Sequence, residues 1–147
     1  MSVEPLLLGS RDKLFAALEL LFASADAYSG FDPVVRYTPK AREPFDALCD
    51  RYLRSFESSL KFFRTWERVR EAAPSDTFRD LLLRMEKSGF ISSAATWLTL
   101  RDLRNRIAHE YLPEELQKIY SGIVGTAAPE MRRLACRISM FLAASGG

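Results

Sequence analysis

The stretch Arg101–Tyr111, RDLRNRIAHEY, holds the only histidine of the chain, His109, with three arginines, an asparagine, a glutamate and a tyrosine around it. Its apolar residues set its conformation. Leu100, Leu103, Ile107 and Tyr111 recur at steps of three and four, which is one stripe of an α-helix, and no glycine or proline interrupts the run before Pro113. At about 100° per residue, Asn105 and His109 fall on the face away from that stripe, with Arg101 beside them, whereas Arg104 sits about 40° from Leu100 at the stripe's edge. A guanidinium cannot shed its charge, so Arg104 near buried surface needs an acidic partner, a phosphate or a route to water at an interface. His109 lies near the helix end, where the carbonyl-rich terminus attracts positive charge. Arg104 and His109 are about 140° apart around the axis, so one straight helix does not aim both at one atom. Two copies of the helix meeting across a dimer would combine them.

Outward from this stretch the same periodicity recurs. A first helix is expected from about Arg11 to Tyr28, with Ser10 as its cap and Leu14, Leu18, Leu21, Phe22 and Ala25 on its apolar face. The segment FDPVVRYTPK, with Pro33 and Pro39, reads as a loop, the best candidate for a mobile element, and its Asp32, Arg36 and Tyr37 are placed to reach a cleft. A long second helix is expected from about Arg42 to Ala73, with Pro44 in its first turn and a stripe from Phe45 to Phe63. Glu57 lies within that stripe, one step from Phe56. Ser75 or Asp76 then caps a short third helix closed by Gly89, and a serine cap in Ile91-Ser92-Ser93 opens the helix of the histidine. Pro113 starts a last helical region with Glu114 and Glu115 in its first turn, kinked or broken between Gly125 and Pro129. No strand, internal repeat or low-complexity tract stands out. The fold class is all-α: an antiparallel up-and-down bundle of four to six helices, dimeric. Residues 1–147 read as a single domain, with 1–9 and 144–147 as flexible tails.

Composition bounds the functions open to such a chain. With 147 residues and 48% apolar content it is one globular domain with a proper core. A formal net charge of +2 gives no general pull on polyanions, so any nucleic-acid binding has to come from local clustering. Cys49 and Cys136 lie far apart without metal-ligand spacing and read as ordinary thiols of a reducing cytosol. No apolar run reaches membrane-spanning length, and Leu6–Leu8 is too short, and lacks a basic lead, to serve as a signal peptide.

Arg104-Asn105-Arg106-Ile107-Ala108-His109 resembles the R-x4-H motif of HEPN domains, and RNRIAHEY is similar to the RNxxxHxY signature of the HepT-like toxins and of nucleotidyltransferase substrate-binding proteins. The clear resemblance runs from about Gly89 to Tyr120, and RYLRSFESSLKFF resembles the FE-containing helix of the substrate-binding relatives. The resemblance implies a homodimer whose paired motifs line a cleft between protomers and, in active members, cleave RNA without a metal. It implies catalytic roles for Arg104 and His109, with Asn105 beside them in the cleft; the helix spacing adds Arg101, on the same face, and Glu57, as an acid that orients Arg104, to the supporting residues. The resemblance also implies neutralisation by a cognate minimal nucleotidyltransferase acting as antitoxin, through adenylylation of Tyr111. The function expected is therefore a cytoplasmic toxin acting on transfer or messenger RNA, with no cofactor, no metal site and no membrane contact. The alternative is a non-catalytic helical partner that presents a nucleotide or substrate to such a nucleotidyltransferase.

Without the resemblance the same residues have plainer readings. His109 is then a helix-end cap or surface group. Arg104 becomes an intrachain ion-pair partner, with Glu57 the natural acid because Asp102 is too close in sequence to face it. Tyr111 is a core-edge aromatic, and Trp97 and Phe56 are core or dimer contacts, with the dimer expected to bury the face from Trp97 to His109. Arg64, Arg68 and Arg70 read as a solvated face in which Glu67 and Glu71 dilute any basic patch.

Overall fold

The computed structural model describes residues 3–109 and 112–145. Among these, the chain is a helical bundle without strands: α1 (Val3–Ala27), α2 (Pro39–Arg70), α3 (Phe78–Ser88), α4 (Ala94–Ile107), α5 (Pro113–Gly122) and α6 (Ala128–Ser145), the last two joined by a π-helical turn, Ile123–Ala127. None of these helices is long and apolar enough to cross a membrane.

The first helix begins at Val3, not at Arg11, so Ser10 is inside it and caps nothing. The reason is Leu7. It stands seven residues before Leu14, is 1% exposed, and extends the stripe of Leu14, Leu18 and Leu21 that packs along α2. That burial outweighs the roughly 1 kcal/mol that a helical glycine such as Gly9 costs.

Thr38 and Pro39 start α2 ahead of Arg42. The Thr38 hydroxyl accepts the Ala41 N–H at 3.1 Å, and Pro39 occupies a first-turn position where its missing N–H is not needed. Across its 32 residues α2 buries Leu48, Tyr52, Phe56, Phe62, Phe63 and Trp66. It is the central rod on which α1, α3, α4 and α5 pack, while α6 packs on α1. The loop before it is pinned, because Phe31 is buried, stacks on Tyr37 at 5.0 Å and meets Phe45 and Tyr120 edge-on. The Asp32 N–H also donates to the Tyr37 hydroxyl at 3.0 Å.

Thr77, not Ser75 or Asp76, caps α3 by accepting from Asp80 N–H. Ser75 is already engaged: its N–H and hydroxyl both donate to Glu67. Gly89, at φ 88°, closes α3 in the left-handed conformation that glycine adopts without strain. Ser93 caps α4 by accepting the Thr96 N–H at 3.0 Å, and Glu86 takes up the first-turn Ala94 N–H, which has no partner within the helix, at 2.7 Å. The buried face of α4 is Trp97, Leu100 and Leu103. Trp97 is wholly enclosed, packed against Phe56 and Phe63, and its indole donates to Glu130 at 3.1 Å. It belongs to the core.

Between α5 and α6 the chain does not break. The π-helical turn accommodates Pro129, whose nitrogen cannot donate, by shifting to wider hydrogen bonds such as Ala128 N–H to Ile123 carbonyl.

Candidate functional site

The helix α4 stops at Ile107, one turn short of the end that its apolar spacing suggests. Ala108 caps it, and the His109 N–H donates to the Arg106 carbonyl at 3.1 Å, a three-residue hydrogen bond that tightens the last turn. Arg104 lies within α4 and His109 two residues beyond its end. Both side chains line one open cleft of about 480 Å³, with Asn105 and Ala108 beside them and Leu53 and Glu57 of α2 as the opposite wall.

Two contacts hold the walls together. The Tyr52 hydroxyl, buried on α2, donates to the Leu100 carbonyl in the middle of α4. Burial pushes its phenol pKa well above the usual value, against the charge of Arg104, so Tyr52 stays a neutral donor. Nearer the surface, Arg104 Nη2 lies 2.6 Å from Glu57 Oε1. That pair is close enough for strong Coulomb attraction, but the guanidinium N–H is not aligned on Oε1 as a hydrogen bond. Both side chains keep more than two-fifths of their surface in water. Arg104 also donates weakly to the Asn105 amide oxygen at 3.4 Å.

The three arginines of the stretch have three different settings. Arg101 does not line the cleft: its guanidinium lies 5.3 Å from the centre of the Phe78 ring, and its Nε is 4.0 Å from Asp102. Arg104 faces the cleft. Arg106 reaches forward to Glu115 of α5 at 2.7 Å, which ties the turn carrying His109 at both ends. Hydrogen bonds from Lys118 and Arg106 hold the Glu115 carboxyl below its usual pKa. Glu115 was visible in the sequence only as a first-turn acid, and nothing in its spacing connects it with Arg106. Leu53 and Ala108, the apolar floor, carried no chemical signal. Asp32, Arg36 and Tyr37 do not line the cleft. Tyr111, the expected modification site, lies outside the described residues.

No protein-family model matches this chain, and no curated protein does. A cation, an amide, an imidazole and a carboxylate line one accessible hollow.

Proposed function

We propose that this chain is a HEPN-type, HepT-like toxin: a metal-independent endoribonuclease that acts as a homodimer and is neutralised by a cognate minimal nucleotidyltransferase, which adenylylates Tyr111. The observation that supports this reading is the convergence of Arg104, Asn105 and His109 on one cleft, with Glu57 opposite.

RNA brings its own nucleophile. In the proposed reaction His109 accepts the proton of a ribose 2′-hydroxyl as that oxygen attacks the adjacent phosphorus. The bond from phosphorus to the 5′-oxygen breaks, leaving a 2′,3′-cyclic phosphate, and the leaving oxygen takes up a proton from water. Arg104 carries the charge that builds on the phosphoryl oxygens. Glu57 is a positioning residue that holds the guanidinium toward the hollow, and the loosely aligned ion pair leaves N–H groups of Arg104 able to turn to a phosphate. In a homodimer of this up-and-down bundle a second copy of the cleft would face the first and supply the other half of a composite site. An adenylyl group on Tyr111 would set an anion and a base beside His109 and block it. The setting proposed is the cytoplasm.

The test is cleavage of total and transfer RNA by purified protein in EDTA. Arg104→Ala and His109→Ala are each expected to lower the rate by about 10²–10³, the scale for losing a charge-stabilising donor or a general base. Far-ultraviolet circular dichroism should not change. Equal cleavage by wild type and both variants overturns the assignment. No cleavage by wild type with Tyr111 shown unmodified by mass spectrometry favours the non-catalytic nucleotidyltransferase partner instead.

A further inference from the structure

The helix α2 lines a second concavity. Along one side of it, α1 and α2 enclose an open groove of about 510 Å³, and Glu57 lines both this groove and the cleft of Arg104 and His109. The two hollows therefore meet at one side chain.

The groove is lined by both basic and apolar side chains: Lys13 and Leu6 come from α1, while Leu60, Lys61, Arg64 and Arg68 come from α2. Glu57, Lys61, Arg64 and Arg68 follow one another at steps of four, three and four, so they form a single face of α2 about 16 Å long. Of the two acids that dilute this face in the bare sequence, Glu67 points inward, 1% exposed and paired with Arg64 and Arg84, while Glu71 stays exposed at the C-terminal end of α2. Arg64 is thereby anchored, at 3.1 Å from Glu67 and 3.2 Å from the Ser75 carbonyl. Among the described residues no acid pairs with Lys13, Lys61 or Arg68. Among the described residues Glu57 is the one acid lining the groove, and it is engaged by Arg104. Leu6 is 57% exposed, a large apolar surface left open in the groove.

We propose that this groove binds the single RNA strand that leads into the cleft, its phosphates on Lys13, Lys61 and Arg68 and its bases against Leu6 and Leu60. The proposal rests on the ribonuclease reading and extends it from one scissile phosphate to a track of neighbours. Cationic side chains that follow the backbone, with apolar surface that accepts any base face, are how single strands are held without reading their sequence. The commitment to RNA rather than another anion follows from the continuity of the groove with the cleft.

The experiment is fluorescence anisotropy with a labelled 12-nucleotide RNA in which every 2′-oxygen is methylated, so that binding is read whether or not the protein cleaves. Lys13→Glu/Lys61→Glu/Arg68→Glu is compared with Arg36→Glu/Lys40→Glu/Lys87→Glu, which changes net charge equally on exposed positions elsewhere. The groove variant should bind at least tenfold more weakly, and its log–log salt slope should be shallower by about 2, as expected for three lost phosphate contacts on a single strand. The control should lose no more than threefold. The milder Lys61→Ala/Arg68→Ala pair should lose at least threefold, which keeps the test open if the triple variant folds poorly. Equal losses in groove and control variants, no loss in the groove variants, or no binding by wild type each overturn the proposal. Cleavage of the unmethylated strand is scored separately: binding through the groove without cleavage sinks the nuclease and leaves the groove, and cleavage undiminished in the groove variants does the reverse.

Discussion

Glu57 and Glu67 are carboxylates of the same helix, each facing an arginine from another element, yet their surroundings differ in every respect that matters. Glu67 has 2% of its side chain in water and accepts from Arg64, from Arg84 at 2.7 Å, and from the N–H and hydroxyl of Ser75. Glu57 keeps 45% of its side chain in water and meets one arginine, without an aligned hydrogen bond. The first arrangement satisfies nearly every lone pair and pins the turn after α2 to α3. The second leaves both partners able to exchange for something else. A buried charge must be fully paired to be tolerated, whereas a half-exposed one is held cheaply and released cheaply. In this molecule the same residue type on the same helix builds a lock at one place and an open site at another.

The largest effect that would break this comparison is on Glu67. Glu67→Gln should cost about 3 kcal/mol and lower the melting temperature by about 10 °C, because two arginines and two serine donors lose their anion. A variant that melts with wild type would remove the distinction. Acid sharpens it further. Burial works to raise the Glu67 carboxyl, but the hydrogen bonds from Ser75, Arg84 and Arg64 outweigh it, and the net result is a pKa below the usual value. A carboxyl depressed in the folded state stabilises above its unfolded pKa and loses that contribution as pH falls through the folded one. Thermal melts between about pH 6 and pH 3 should therefore show a steeper loss in wild type than in Glu67→Gln.

Glu130 offers an intermediate case, being 4% exposed and bonded to Ser92, Trp97 and Arg133. Trp97→Phe removes one of its donors while keeping a ring in the core, and chemical denaturation should register about 1–2 kcal/mol. The smallest stability change belongs to Glu57→Gln, within about 0.5 kcal/mol. If the cleft works as proposed, that variant should nonetheless lose RNA cleavage several-fold, whereas Glu67→Gln, assayed where it is folded, should cleave at the wild-type rate. The opposite pattern would reverse the roles of the two glutamates.

Much of the helical content was legible because burial leaves a period in the sequence. Leu14, Leu18 and Leu21 announce α1, and Trp97, Leu100 and Leu103 announce α4. Helix ends were less legible, because several residues competed for each cap. Ser75, Asp76 and Thr77 are all good caps, and Thr77 holds the position in a structure where Glu67 has claimed Ser75. Likewise Leu7 draws α1 back past Gly9 and Ser10 only because α2 is there to cover it.

At the candidate site the division is sharper. The sequence by itself determined that an arginine, an asparagine and a histidine crowd into the end of one amphipathic helix, since spacing and residue type are properties of the chain alone. Which arginine serves the hollow was a tertiary decision. Arg101, Arg104 and Arg106 are chemically identical, and what separates them is the group each meets: a Phe78 ring, the Glu57 carboxylate, and Glu115 on the next helix. Those partners lie 23, 47 and 9 residues away in the chain, and only the packing of α2, α3 and α5 around α4 brings them within reach.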